Sequence, residues 1–223
     1  MRDTTRPLKY LALGDSYTIG VGVTEEDRYP NQLVKRLNEE LNLEINQPVI
    51  IAKTGWKVVE LETAINESKD IVPPYDLVTL SIGVNDQYDG KSVEEYTLEF
   101  EKMLLKAIGF AGNFPDRVIV LSIPDWGITP YALEKEMDQS KVASEIDGYN
   151  NAKKTMCKQY GVFYIDITAD YRALGSQSEM VVEDKLHPSG LIYKIWADKL
   201  HEQVKYFVRS PEDGTTKTTA FQG

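Results

Sequence analysis

The 223-residue chain has 25 basic and 35 acidic residues, a net charge of −10, with 42% hydrophobic and 27% charged residues. These proportions are typical of a globular protein with one domain. The negative charge argues against nucleic acid or an anionic membrane as the main partner. No apolar run reaches the roughly 18 residues of a membrane span, so we expect no stable membrane association. With two histidines and one cysteine, the chain has little material for a zinc site and cannot form an internal disulfide.

The N-terminal segment bears on localisation. Only seven residues, MRDTTRP, precede the first apolar run. This is too short for a signal peptide, which predicts a cytoplasmic protein, or a secreted or periplasmic one whose leader has been removed. The sequence gives no prediction of oligomeric state.

Strand and helix patterns alternate along the chain. Five short apolar runs predict buried strands, at 8–13, 48–52, 77–82, 118–123 and 162–167. Their near-continuous hydrophobicity is typical of a parallel sheet covered on both faces. Apolar residues at helical spacing predict helices between the strands, at 29–41, from Ser92 onward, at 141–160 and at 190–208. The alternation predicts a three-layer α/β/α sandwich with a flavodoxin-like, five-stranded parallel sheet. We interpret 1–208 as the domain and 209–223 as a flexible tail.

Small, polar and titratable residues follow the predicted strands directly. They are Gly14-Asp15-Ser16 after the first, 53–56 after the second, 83–86 after the third, 124–126 after the fourth, and 184–189 between the fifth strand and the last helix. Ligands of open parallel sheets bind beyond the carboxyl ends of the strands. The sequence therefore predicts a single functional site at this edge of the sheet.

The residue types at this edge suit nucleophilic catalysis. The hydroxyl of Ser16 is a poor nucleophile unless a base accepts its proton during attack. His187 has a suitable intrinsic pKa, and Asp184 lies three residues before it, where a carboxylate could orient the imidazole. The backbone N–H groups of Gly55 and Ser16 and the side-chain amide of Asn85 could donate to a developing oxyanion.

Each of these residues also has an ordinary structural interpretation. Ser16 could cap a helix, Asn85 and Asp86 could form an Asx turn, and Asp184 could be a solvated charge. Their joint occurrence at one predicted edge favours the catalytic interpretation. Asp15 is expected to support the turn before Ser16 through backbone hydrogen bonds.

Four sequence blocks match a known superfamily in order and rough spacing. GDSYTIGVGV near the N-terminus, the Gly55 block, GVND after the third strand and DKLHPS near the C-terminus resemble the conserved blocks of the SGNH (GDSL-type) hydrolases. The resemblance extends over about residues 8–208, and IPDWGITPY adds a likeness to single-domain bacterial esterases. It implies Ser16 as nucleophile, His187 as base and Asp184 as the acid of the triad. It also implies Gly55 and Asn85 as oxyanion donors, and catalysis without a metal or organic cofactor.

The resemblance implies a serine esterase for a small-molecule ester, with short acyl chains or acetylated carbohydrates favoured. Tyr17, which replaces the leucine of the common motif, is one of five residues predicted to line an acyl or sugar pocket, the others being Trp56, Trp126, Ile128 and Tyr131. Lysophospholipase and thioesterase activities remain open, as does a catalytically silent binding protein. A phosphoryl-transfer or nucleotide-binding protein on a similar sheet is the further alternative, although Walker A and GxGxxG motifs are absent.

Overall fold

A computed structural model describes residues 6–41 and 43–209, with the side chains of 206–209 excepted. Five strands are formed: β1 Tyr10–Gly14, β2 Val49–Ala52, β3 Leu77–Ser81, β4 Val118–Leu121 and β5 Phe163–Ile165. The α-helices are α1 Ser16–Ile19, α2 Tyr29–Leu41, α3 Val58–Glu67, α4 Val84–Tyr88, α5 Val93–Phe110, α6 Pro130–Glu134, α7 Gln139–Tyr160, α8 Thr168–Leu174 and α9 Gly190–Arg209. Short 3₁₀ helices lie at Glu25–Asp27, Pro115–Arg117, Trp126–Ile128 and Ser178–Met180.

The predicted α/β class with a five-stranded parallel sheet is confirmed. The strands are shorter than predicted, because the outer residues of the apolar runs lie outside the strand ladders; Leu8, for example, forms only an isolated bridge with Ile45. The sequence did not predict α3 or α8. Of the predicted tail, Arg209 is the last residue of α9, and the remainder lies outside the described residues.

The strand order determines where the site lies. All strands are parallel, in the order β2-β1-β3-β4-β5. β2 lies on one side of β1, and β3, β4 and β5 follow one another on the other side. The direction of winding therefore reverses between β1 and β3. In doubly wound sheets this reversal opens a crevice beyond the carboxyl ends of the two strands. Here Ser16 follows β1 and Asn85 follows β3, so the two residues flank that crevice.

Helices cover the sheet in two layers. α2 and α9 pack against each other, while α3, α5 and α7 form a second group. The central strands β1, β3 and β4 are buried along their whole length, which explains why they read as continuous apolar runs. Continuous burial also makes the floor of the crevice rigid.

Gly14, at the end of β1, has no room for a side chain. A Cβ at this position would collide with the Thr18 hydroxyl and with the carbonyl oxygen of Ser81 on the neighbouring strand. We expect Gly14→Ala to lower the free energy of unfolding by about 1–3 kcal/mol, the usual cost of overpacking. The control is Gly109→Ala on α5, where the added Cβ meets nothing within 4 Å and should stabilise the helix by about 0.5–1 kcal/mol. Urea denaturation of both variants tests this, and equal stabilities would contradict it.

Candidate active site

Ser16 lies where a buried strand turns sharply into a short helix. Asp15 is the N-cap of α1, and its carboxylate accepts a hydrogen bond from the backbone N–H of Tyr17 at 3.0 Å. Ser16 is the first residue of the helix and is only 3% exposed. The cap therefore fixes the turn that presents the Ser16 side chain and amide at the sheet edge, as expected for Asp15.

His187 and Asp184 are hydrogen-bonded partners. Asp184 Oδ2 lies 2.6 Å from His187 Nδ1, and Asp184 Oδ1 accepts the backbone N–H groups of Leu186 and His187, each at 2.9 Å. Burial alone would raise the pKa of Asp184, but these hydrogen bonds lower it below its ordinary value. An ionised Asp184 accepting the Nδ1 proton leaves the lone pair of His187 on Nε2, which is the tautomer that a general base requires.

The loop that carries the pair is anchored from three sides. Tyr171 donates its hydroxyl to the carbonyl of Leu186 at 2.5 Å, and the N–H of Tyr131 donates to the carbonyl of Lys185 at 3.1 Å. The Tyr17 ring packs against the imidazole of His187 with 5.2 Å between centroids. Tyr17 is 3% exposed, so the residue that departs from the common motif supports the histidine as well as the cavity wall.

A loop and the first turn of α4 carry two of the predicted oxyanion donors. Gly55 has a φ of +83°, a backbone conformation that favours glycine, and no atom lies within 4 Å of the position a Cβ would occupy. Asn85 donates through Nδ2 to the carbonyl of Trp56 at 2.9 Å. An amide nitrogen carries two hydrogens, so the second N–H of Asn85 can serve a ligand.

Asp86, on α4 beside Asn85, joins this helix to the start of α3. Its carboxylate accepts the backbone N–H of Val58 at 3.1 Å and lies 2.7 Å from Lys91 Nζ. Asp86 is fully buried, and burial raises its pKa, with the Lys91 ammonium acting in the opposite direction. Asp86 thereby links the helix that carries Asn85 to the helix that follows the Gly55 loop.

These residues share one cavity of about 200 Å³. Ser16, Gly55, Asn85 and His187 line it together with the predicted wall residues Tyr17, Trp126 and Tyr131. Sequence reasoning missed four further wall residues, namely Thr54, Val84, Tyr88 and Leu186. Thr54, Val84 and Leu186 are each next to a predicted site residue, and Tyr88 lies at the end of α4, three residues after Asn85. Their nearness in sequence to the predicted residues was the signal that could have found them.

Two predicted wall residues do not line the cavity. Trp56 is part-buried against the core, and its backbone carbonyl is what faces Asn85. Ile128 packs toward Gly175, where its side chain fills the space that a Cβ would need. Both follow the correct strands, but their side chains pack elsewhere, Trp56 against the core and Ile128 beside Gly175.

Among the described residues, no hydrogen bond joins Ser16 Oγ to His187. Catalytic hydrogen bonds are often long in unliganded enzymes and tighten when substrate binds. Asp184 is the exposed member of the group, with 41% of its side chain accessible, against 10% for His187. The imidazole is therefore the partner that is held in place by packing.

Lys153, on α7, is a buried residue near this site that was not predicted from the sequence. Its Nζ donates to the carbonyl of Ile82, at the end of β3, at 3.2 Å. The apolar face of α7 runs through Val142, Ile146, Tyr149 and Met156, and position 153 falls on the same helical stripe. A lysine on that stripe was the signal that could have revealed it.

The single cysteine and the second histidine of the chain have structural surroundings. Cys157 is 1% exposed, and burial raises its pKa to about 12, which suppresses the reactive thiolate. His201 is fully buried on α9, beside Glu40 and Glu202.

Within residues 6–41 and 43–205, no group of three or more His, Cys, Asp or Glu side chains could hold a metal ion. None of the helices described is long and apolar enough to cross a membrane.

Solved structures of lipases and esterases share this fold. A lipase/acylhydrolase from Enterococcus faecalis superposes with a TM-score of 0.70 at 19% identity, covering 90% of this chain and 96% of that one. A lipase from a goat rumen metagenome gives 0.70 at 23% identity, covering 88% and 97%. An acetylxylan esterase from Geobacillus stearothermophilus gives 0.67 at 20% identity, covering 88% and 94%. The protein therefore has the α/β fold of the GDSL hydrolases.

The sequence comparisons give the family. The model of the GDSL-like lipase/acylhydrolase family matches residues 12–195, and the chain belongs to this family, whose members are ester hydrolases. A spore germination lipase, LipC, from Bacillus licheniformis is 26% identical over 210 residues, which cover 86% of this chain and 94% of the relative. The resemblance drawn from the four sequence blocks is confirmed.

Proposed function

We propose that the protein is a serine esterase that hydrolyses small carboxylic esters through an acyl-enzyme. The observation that supports this most is the convergence of Ser16, His187, Gly55 and Asn85 on one cavity, with Asp184 hydrogen-bonded behind the histidine. These are the nucleophile, base and oxyanion donors that acyl transfer needs.

The proposed reaction has two steps. His187 Nε2 accepts the proton of Ser16 as Oγ attacks the ester carbonyl, and the N–H groups of Ser16 and Gly55 and the amide of Asn85 hold the oxyanion. The alcohol leaves with the proton from His187, forming an ester between Ser16 and the acyl group. His187 then accepts a proton from a water molecule that attacks this ester, and returns the proton to Ser16 Oγ as the acid leaves.

The size and lining of the cavity favour a short acyl group. Its volume of about 200 Å³ is below the roughly 300–1,000 Å³ of pockets for drug-sized ligands.

Trp126 is held rigidly, since its indole N–H donates to Gln87 at 2.8 Å, and Tyr88 packs against it with 5.3 Å between ring centroids. Tyr88 is 54% exposed. An exposed tyrosine offers an apolar face and a hydroxyl, a combination suited to the sugar of an acetylated carbohydrate, the substrate class named for the Geobacillus esterase.

The substrate proposal is tested with p-nitrophenyl esters from acetate to palmitate and with acetylated xylo-oligosaccharides. We expect kcat/KM to be highest for the two- to four-carbon acyl chains and to fall with chain length, because longer chains exceed the cavity. Deacetylation of the oligosaccharides is expected as well. An optimum at long chains would contradict the proposal and favour a lipid ester, the class that the name of the Bacillus relative suggests.

Labelling with a fluorophosphonate separates catalysis from binding alone. We expect the folded protein to form a covalent adduct at Ser16, located by mass spectrometry of its peptides. A folded protein that resists the label would favour the silent binding protein. Activity that depends on added Mg²⁺ would favour phosphoryl transfer instead.

A further inference from the structure

Lys153 is an energetically costly residue in its position. It is fully buried; Nζ makes one hydrogen bond, to the carbonyl of Ile82, and one cation–π contact, with the Phe100 ring centroid at 5.3 Å. Among the described residues it forms no direct ion pair. Burying an ammonium group in this way costs stability unless charges nearby compensate. A residue that costs stability and is placed at the edge of an active site is a candidate for a functional role.

The carbonyl that Lys153 binds belongs to the residue before Gly83, which is the N-cap of α4, the helix that carries Asn85. Tyr96 donates its hydroxyl to the same oxygen at 3.0 Å. Gly83 has a φ of +124°, and the Tyr96 ring occupies the space that a side chain there would need. Lys153 and Tyr96 therefore hold the backbone at the start of α4, three residues before Asn85.

Lys153 is also coupled electrostatically to the turn that carries Ser16. Burial lowers the pKa of Lys153 to about 8, while the carboxylates of Asp15 and Asp86 act to raise it, so the ammonium form prevails at neutral pH. Burial raises the pKa of Asp15 to about 7, and both its hydrogen bond from Tyr17 and the charge of Lys153 act against this rise. The lysine thus favours the ionised Asp15, which caps α1 and sets the amide of Ser16.

We propose that Lys153 is a positioning residue of the oxyanion hole, fixing Asn85 through the carbonyl of Ile82. The inference rests on the proposed function, because it requires Asn85 to be an oxyanion donor. Lys153 has no contact with substrate in this proposal and acts only through that carbonyl.

A double-mutant cycle between Lys153→Met and Asn85→Ala, measured on p-nitrophenyl acetate, tests the coupling. We expect Lys153→Met to lower kcat by about 10- to 100-fold with KM changed less than about threefold, because small displacements of catalytic donors have effects of this size. In the Asn85→Ala background the same change should lower kcat by less than about threefold. Additive effects would overturn the proposal.

Thermal unfolding separates positioning from general structural support. Methionine removes the buried charge, and Tyr96 still donates to Ile82, so at pH 7 we expect Lys153→Met to unfold at the same or a higher temperature than the wild type. Between pH 8 and 10.5 the unfolded chain retains the Lys153 proton that the folded chain has lost, so the wild type gains stability relative to the variant as pH rises. A loss of activity that parallels a large drop in unfolding temperature at pH 7 would overturn the proposal.

Matched variants complete the design. Lys154→Met changes an exposed lysine one position along the same helix and should retain wild-type kcat. Tyr96→Phe keeps the ring but removes the other donor to the carbonyl of Ile82. This variant should also lower kcat, and its effect should be smaller in the Asn85→Ala background. It tests the proposal if Lys153→Met does not fold.

If Asn85→Ala lowers kcat while both Lys153→Met and Tyr96→Phe are fully active, the inference fails and the proposed function stands. If Asn85→Ala is itself fully active, the proposed oxyanion role of Asn85 fails.

Discussion

Replacing Ser16 with alanine is expected to lower kcat on p-nitrophenyl acetate by about 10⁴-fold or more and to abolish fluorophosphonate labelling. The reason is that no other described serine lines the cavity, and loss of the nucleophile leaves only the residual rate that binding and the oxyanion hole supply. Steady-state kinetics and mass spectrometry of the labelled protein measure the two effects. Full activity in this variant would refute the proposed mechanism.

The fold should tolerate the Ser16→Ala change. Among the described residues Ser16 Oγ has no hydrogen bond, so the melting temperature should stay within about 2 °C of the wild type. Ser144→Ala is the matched control, because this serine is exposed on α7 and should leave both kcat and labelling unchanged. Loss of labelling in Ser144→Ala would show that the probe does not report on the cavity.

Asp184→Asn should have the second-largest effect, a decrease in kcat of about 10²–10⁴-fold with little change in KM. An asparagine can still accept the backbone N–H groups of Leu186 and His187, so the loop is retained. Its amide hydrogens would face Nδ1, however, and place the proton of His187 on Nε2, the tautomer that cannot act as a base. The range is wide because Asp184 is partly exposed and water can replace some of its function. An active Asp184→Asn variant would remove this carboxylate from the proposed triad.

The pH dependence of stability provides an independent check on Asp184. Its pKa is lower in the folded state, so ionised Asp184 stabilises the fold above the pKa of the unfolded chain. This contribution is lost as pH falls through the folded pKa. The difference in free energy of unfolding between the wild type and Asp184→Asn should therefore shrink in acid. A difference that stays constant as pH falls would contradict this role of the carboxylate.

Local sequence patterns were sufficient for much of the fold. A strand buried on both faces must be apolar throughout, which made β1, β3 and β4 visible as runs of leucine, valine and isoleucine. α3 was missed for two reasons. Its apolar stripe is short, with Val58, Leu61 and Ile65 as its buried residues. Its N-cap is Lys57, whereas the residues that mark a helix start in sequence are Ser, Thr, Asp and Asn.

The positions of the candidate site residues were predictable for a related reason. Parallel strands bring their carboxyl ends to one edge, so residues that follow different strands must meet there. The directions of individual side chains were not predictable from sequence. Trp56 and Ile128 follow the correct strands, yet their side chains pack away from the cavity, whereas Tyr88 reaches the wall from the end of α4.

The sequence by itself determined the α/β class, the family and the residue types of the proposed triad, because these depend on local composition and on short motifs. Tertiary structure alone decided that β1 and β3 are neighbours, which is what places Ser16 beside Asn85. It also decided the role open to Lys153, whose contact with Ile82 joins residues 71 positions apart. The place of Lys153 on the apolar stripe of α7 signals that it is buried, but not which residue it contacts, because that contact is set by the packing of elements far apart in sequence.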